Sequence, residues 1–382
     1  MRIALAFGLC LIAAAALAGP RAKDLPKPES EVTAAAQNVR ENFRARINEN
    51  VVTIMAGSPS GTDLAIVQDI ASVLDDGDKL RVLPMVGKGP EQNIKDVLFL
   101  RGVDMGVTQA NLLKHFDKTG ELGSNLKGQI AYIAKLFNEE LHILVRDDVN
   151  DIKELSGKYV NFGPEGSGAE ITGRLIFEAL GVETQKVHLN DADAIEKLKA
   201  GEIAAVIAVT GKPAPVLTSL KDTNGLKLLP VPYAKGIEDE YYPATFTNDD
   251  YPTLVPAGER VDTMSVCAVL ISFNWPKDSV RYQKIAKFVD QFFANFDRFL
   301  VAPRHTKWRD VNFAATLEGW QRSSLSQKWI DRAKQASDSA SRSHFDAFLA
   351  QANATRAQPI SEEERAELFR AFLQWNKGRN QN

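Results

Sequence analysis

The sequence is poor in the residues that build most metal and redox centres. It holds two cysteines, Cys10 and Cys267, and five histidines, scattered as His115, His142, His188, His305 and His344. Two cysteines exclude a disulfide framework and any cysteine-rich zinc site. None of the histidines has metal-ligand spacing, and no metal is expected. Positive charge is not in excess either, with 46 Lys plus Arg against 49 Asp plus Glu. That balance offers nothing to draw the chain onto nucleic acid or an anionic membrane. No G-x-x-x-x-G-K-[ST] loop occurs, and Gly163-Pro164-Glu165-Gly166-Ser167-Gly168 departs from G-x-G-x-x-G. No nucleophile, acid and base stand in a recognisable set, so neither an enzyme nor a cofactor is expected. What remains is ordinary for a globular protein: 382 residues, 44% hydrophobic and 25% charged, enough for two or three domains.

The N-terminus carries a different signal. Arg2, the uncharged apolar stretch 3–17 and the Ala16-Leu17-Ala18 pattern read as a secretory signal peptide over residues 1–18. Cleavage would leave Gly19 first and place the chain in a periplasm-like space. No later apolar run reaches the length of a membrane span. Cys267 lies in the apolar run 266–271, which predicts a buried, inert thiol.

Residues 19–46, with Pro20, Pro26 and Pro28, read as a linker followed by a helix. Strands alternating with helices then predict a parallel α/β sheet. The first unit has a strand at 51–55, the turn Ala56-Gly57-Ser58-Pro59-Ser60-Gly61-Thr62 and a helix at 63–74. It continues with a strand at 80–86, Gly87-Lys88-Gly89-Pro90, a helix at 91–100 and a strand at 103–107. The pattern restarts with strands at 141–145 and 159–162, a helix at 169–180 stopped by Gly181, a helix at 195–200 and a strand at 204–209. An apolar strand follows at 264–272. Two such units predict two lobes facing across a cleft: 47–145 and a return at 259–300 form the first, 146–258 the second. From 301 to 382 the pattern is helical, with Trp308, Trp320, Trp329 and Trp375 expected to pack on the body. Ser361 and Glu364 form a capping-box signature before the last helix.

The Gly/Ser turns are where chemistry is expected. Each joins the end of a strand to the start of a helix, where N–H groups lack partners and the helix dipole favours negative charge. Such a turn can hold an anion without charged side chains, although turn and cap chemistry alone would account for any single loop. The candidate ligand-binding residues are Ser58, Ser60, Gly61 and Thr62 with Lys88 and Asn93 on one lobe. On the other they are Gly166, Ser167, Gly168 and Thr210, with Gln109 on the hinge side. Lys212 is a further source of positive charge.

Several segments taken in order resemble one family. They are Ala56-Gly57-Ser58-Pro59-Ser60-Gly61-Thr62, Gly89-Pro90-Glu91-Gln92-Asn93, Gly102-Val103-Asp104-Met105-Gly106-Val107-Thr108-Gln109 and Glu140-Leu141-His142-Ile143-Leu144-Val145-Arg146. Leu155-Ser156-Gly157-Lys158-Tyr159-Val160-Asn161-Phe162-Gly163, Gly166-Ser167-Gly168-Ala169 and residues 201–213 complete the set. Over residues 50–297 the chain resembles the TAXI family, the solute-binding subunits of tripartite ATP-independent periplasmic (TRAP) transporters. The resemblance implies an α/β, two-lobed periplasmic-binding-protein fold of type II-like form, with two crossover strands, here followed by an α-helical C-terminal extension. It implies a small anionic solute, a carboxylate or amino acid such as glutamate, glutamine or 2-oxoglutarate, held by a monomer and delivered to TRAP-type membrane permease subunits. The same fold also serves ATP-driven importers and the sensors of two-component systems. Three positions depart from the family pattern and touch the cleft: Asp63 where tyrosine usually follows Gly-Thr, Asn111 where an aspartate is usual, and Ala169 where Gly-Ser-Gly usually continues with threonine.

Overall fold

The computed structural model describes residues 28–59, 61–77, 79–233, 241–353 and 361–379. The expected signal peptide at 1–18, the start of the linker, and Ser60 lie outside the described residues. Residues up to Asn48 form a unit of their own, whose described part is helix α1 (Pro28–Glu49). Pro28 opens it, a position where the missing N–H is no loss. Val39 and Phe43 on α1 are exposed.

The second unit carries the alternating elements. In chain order they are β1 (Val51–Ala56), α2 (Thr62–Leu74), β2 (Arg81–Val86), α3 (Pro90–Phe99), β3 (Met105–Gln109), α4 (Ala110–Thr119), α5 (Leu126–Gln129) and β4 (Ile130–Arg146). Then come β5 (Tyr159–Asn161), α6 (Gly168–Ala179), β6 (Gln185–Val187), α7 (Asp191–Lys199), β7 (Ala205–Thr210), α8 (Pro215–Thr218), β8 (Leu226–Leu228), β9 (Tyr242–Thr247) and β10 (Arg260–Phe273). The chain continues through α9 (Val280–Ala294), 3-10 turns at Phe296–Phe299 and Thr306–Asp310, α10 (Ser324–Asn353) and α11 (Glu362–Arg379).

The strands make one sheet in the order β2-β1-β3-β10-β4-β7-β5-β6. β1 is parallel to β2 and β3, and β5 is parallel to β6 and β7, as expected of βαβ units. Between these parallel groups run two long antiparallel strands, β4 and β10. One end of β10, residues 268–272, pairs with β3, and the other, 260–265, pairs with β9. β4 changes partner in the same way, and its Glu140–Val145 half pairs with β7. These two strands cross between the lobes, giving the two-lobed fold with two crossovers. Along β4 the pairing with β7 begins at Glu140.

Each lobe covers both faces of its part of the sheet, which is why the crossing strands read as nearly unbroken apolar runs. The first lobe packs Ile66, Ile70 and Phe288 on one face and Ile94, Leu112 and Phe116 on the other. Leu141, Val160 and Phe177 fill one side of the second lobe, with Leu198, Val206 and Phe246 on its reverse. Cys267 is buried as expected, and burial pushes its thiol up to about 11. His142 is also a core residue: its Nε2 lies 2.6 Å from the Tyr251 hydroxyl, and burial drops its pKa to about 3.

The C-terminal extension packs on the first lobe. Trp308 is fully buried, its ring centroid 4.3 Å from that of Phe299, and Trp320 and Trp329 pack against the same lobe. Burying side chains of this size contributes roughly 1.5–3 kcal/mol each. The Trp375 side chain lies outside the described residues. The capping box forms: Glu364 donates its N–H to Ser361 Oγ at 3.2 Å, and Ser361 donates its N–H to Glu364 Oε2 at 3.1 Å.

Candidate functional site

The strand ends that open onto helices all point to one place. β1, β2, β3, β5 and β7 end around a cleft of about 490 Å³ walled by both lobes. This is the position that the geometry of open α/β sheets favours for a ligand, outside the carboxyl ends of the strands. Seven of the eleven candidate residues line it: Ser58, Gly61, Lys88, Gln109, Ser167, Gly168 and Thr210.

The lobes meet across this cleft. Thr62 and Thr210 place their Oγ1 atoms 3.0 Å apart, the Thr62 N–H donates to Thr210 Oγ1 at 3.3 Å, and Thr62 Oγ1 donates to the Gly211 carbonyl at 3.2 Å. Thr62 therefore spends its donors on the opposite lobe. Gly89 has φ +149°, and a Cβ there would sit 2.9 Å from the Gly166 carbonyl, so backbone presses on backbone between the lobes. Only glycine satisfies both requirements.

Several expected anion contacts are already committed. Gly166 donates its N–H to Glu170 Oε2 at 2.6 Å. The Gly61 N–H goes to the Ser58 carbonyl at 3.0 Å. Asn93 stands behind the wall, fully buried, and donates from Nδ2 to the carbonyls of Val107 and Ala56 at 2.7 and 3.2 Å, tying two strand ends together. Ser167 is the N-cap of α6, its Oγ accepting the Glu170 N–H at 3.3 Å. Lys212 turns away and pairs with Asp250 at 3.0 Å. In the anion role, Thr62, Asn93 and Gly166 are corrected by these bonds. Gly168 at the start of α6 and Lys88 at the rim keep that role open.

Gln109 is a junction. Its Nε2 donates to Glu139 Oε2 at 2.7 Å, and its Oε1 accepts from Thr172 Oγ1 at 3.0 Å. Thr172 in turn accepts from Asn111 Nδ2 at 2.9 Å, and the same amide donates to the Tyr241 hydroxyl at 2.9 Å. One buried chain of polar groups thus joins β3, the crossing strand β4 and α6.

Two cleft residues were not among the site residues expected from the sequence. Asp63, 6% exposed, and Glu139, 4% exposed, both line the cleft. Burial pushes the Asp63 carboxyl up to about 7. Burial also holds Glu139 well above the usual carboxylate range, and the neighbouring Asp63 charge adds to the effect. Asp63 was visible as a departure from the family pattern. Glu139-Glu140 was visible as a charged pair between the largely apolar stretches 130–137 and 141–145, a signal that buried polar function leaves in a core strand. Among the described residues there is no group of three or more His, Cys, Asp or Glu able to hold a metal ion.

Comparison with known proteins gives a family and a set of structural likenesses. The sequence pattern of the NMT1-like family matches residues 54–291. The structure described as that of a periplasmic transporter aligns at 12% identity with a TM-score of 0.45, covering 75% of this chain and 93% of that one. Holo ArgBP from T. maritima aligns at 14% identity and a TM-score of 0.39, covering 67% of this chain and 93% of that one. Periplasmic binding protein BugD aligns at 16% identity and a TM-score of 0.41, covering 64% of this chain and 83% of that one.

Proposed function

We infer that this chain, which belongs to the NMT1-like family, is a solute-binding protein that captures a small solute in the periplasm and hands it to a membrane permease. The observation that carries the reading is the cleft of about 490 Å³ between lobes joined in the sheet by two crossing strands. A ligand touching both walls favours the closed arrangement, because only there does it make all its contacts. The Thr62–Thr210 contact and the approach of Gly89 to Gly166 are what such closure requires. The solute belongs to the carboxylate or amino-acid class, with its carboxylate toward Gly168 at the start of α6 and toward Lys88. Ser58, Gly61, Ser167 and Thr210 complete the proposed wall. The resemblance over residues 50–297 supports a TRAP-type permease as the partner. The chain has no catalytic role in this reading.

The test is a thermal-shift screen of amino acids and carboxylates on the purified protein. Calorimetry on the hits and mass spectrometry of the solute after incubation complete it. At least one solute should raise Tm and be recovered unchanged. Turnover of the solute, or no stabilisation by any member of either class, would overturn the reading.

A further inference from the structure

The charge of the cleft does not match a solute that is only an anion. Among the described residues lining it, Lys88 is the one cation, against Asp63, Glu139 and Asp191. Lys88 is exposed at the rim, whereas Asp63 and Glu139 are more than nine-tenths buried. Burying a carboxylate is costly unless it is paired or fully hydrogen-bonded. Glu140, the residue next along β4, shows the paired solution: Lys307 Nζ lies 2.6 Å from it. Asp63 and Glu139 have no such partner among the described residues. Asp63 Oδ1 is buried without a hydrogen bond, and Glu139 has the Gln109 amide on Oε2. An uncharged amide does not balance a carboxylate.

We propose that Asp63 and Glu139 form a subsite for a protonated amine, so that the solute carries an ammonium or amidinium group as well as its carboxylate. The proposal rests on the reading of the cleft as a solute site and narrows its ligand class. An N–H-bearing cation would give Asp63 Oδ1 its missing donor and bring its charge to two acidic groups that no cationic side chain contacts among the described residues. The remaining wall favours an organic cation over a bare metal ion. Pro90, Pro164, Ala192, Ile207, Val209 and Val216 line the same space and offer packing to a carbon skeleton, which a bare metal ion does not have. Dicarboxylates and oxo acids without an amine would bring no cation and no N–H donor to Asp63 and Glu139, and would leave Asp63 Oδ1 unsatisfied.

Matched pairs test this. L-glutamate and 2-oxoglutarate differ by an amine, as do L-leucine and 4-methyl-2-oxopentanoate, while butylammonium chloride presents the amine alone. Thermal shift and calorimetry on the full chain should show binding by amine-bearing members and none, or at least about tenfold weaker binding, by their oxo partners. Asp63→Asn and Glu139→Gln keep shape and remove charge, and each should weaken the amine ligands by about tenfold or more. Circular dichroism controls for folding, and either variant suffices if the other fails to fold. Equal binding of an oxo acid and its amine overturns the subsite but leaves solute binding intact. So does stabilisation by calcium or zinc that either variant abolishes. If no probe of either kind binds, both the subsite and the solute-binding reading fall.

Discussion

Lys307 Nζ lies 2.6 Å from Glu140 Oε1, in a contact where the two side chains are only 5% and 4% exposed. The lysine comes from the C-terminal extension and the glutamate from the strand that crosses between the lobes. Lys307 also reaches Asp310 Oδ2 at 3.0 Å, and Glu140 accepts the Lys212 N–H at 2.8 Å. Burial alone would lower the Lys307 pKa, but the Glu140 and Asp310 carboxylates together outweigh it and hold the ammonium above its usual range. Trp308 beside it donates Nε1–H to Asp69 on α2 at 2.9 Å. The extension is therefore built into the first lobe and touches the hinge.

Breaking that pair should be expensive. Lys307→Met leaves a buried carboxylate without its counter-ion, and about 3–5 kcal/mol of stability should be lost. Lys307→Met combined with Glu140→Gln removes both charges and should recover most of the loss. Urea denaturation of the three proteins measures it, and a single variant within about 1 kcal/mol of wild type would contradict the assignment.

Truncation should separate the parts of the extension. Ending the chain at residue 353 removes α11 and should lower Tm by only a few degrees. Ending it at 300 removes Lys307, Trp308 and Trp329 and exposes apolar surface on the first lobe. That protein should bind a hydrophobic dye and melt far lower or fail to fold, as a melting scan with dye fluorescence will show.

The ligand-free protein should lose stability on the way up to neutral pH. Asp63 has a folded pKa near 7 against an ordinary 3.8. A raised carboxyl pKa means the folded state holds its proton longer, so the contribution is fully present below 3.8 and lost as pH rises through about 7. Glu139 is raised in the same direction, and Glu140 with Lys307 is the charged pair beside it. A tenfold difference in proton affinity between the folded and unfolded chain corresponds to about 1.4 kcal/mol. A loss of a few kcal/mol is therefore expected between about pH 4 and pH 8. Asp63→Asn should flatten the profile. A variant that falls as steeply as wild type would show that another group controls it.

The lobe contact at Thr62 and Thr210 should control closure. Thr62→Val leaves the Thr210 hydroxyl short of a partner across the cleft, which costs about 1 kcal/mol of the closed form. Ligand affinity should fall roughly fivefold, and the ligand-free protein should show a larger radius of gyration in solution scattering. The double valine variant, lacking both hydroxyls, should lie closer to wild type. No change in either measurement would mean that the contact does not govern closure.

Two neighbouring residues should behave differently. Ser167→Ala removes an N-cap and should cost about 1 kcal/mol of stability. Gly168→Ala should cost ligand affinity, because its Cβ would lie 2.5 Å from Gln109 Nε2 and push the amide off Glu139. Calorimetry beside thermal melting distinguishes the two, and a Gly168→Ala variant of wild-type affinity would show that Gln109 can yield without consequence.

Much of the fold was legible in the sequence because turn residues and periodicity agree in the βαβ units. Helix 63–74 was expected one residue short of its observed start at Thr62. The first half of β4 was not legible: both of its faces are buried, so residues 130–139 show no alternation, and Glu139-Glu140 interrupts the run. α4 follows β3 without a turn residue between them, so no punctuation marks its start. The Gly/Ser turns do lie at strand ends that open on the cleft, since glycine and serine there report backbone demands. The competition for their N–H groups was hidden, because Glu170 and Thr210 reach Gly166 and Thr62 only in three dimensions. Asp63 and Glu139 come to line the same cleft from 76 positions apart in sequence, which no local pattern encodes.

The crossing strands also determine how the chain can be recombined. The second lobe is one uninterrupted stretch between Glu140 on β4 and Ser265 on β10, a pair that face each other in register. It is an insertion within the first lobe, whose own parts flank it on both sides. Exchanged as a cassette at those two positions, it would replace the wall carrying Ser167, Gly168 and Thr210, while Asp63, Glu139 and the Lys307 anchor stayed behind. Such a cassette would have to bring its own counterparts of Thr172 and Thr210, whose bonds to Gln109 and Thr62 tie it to the part left behind.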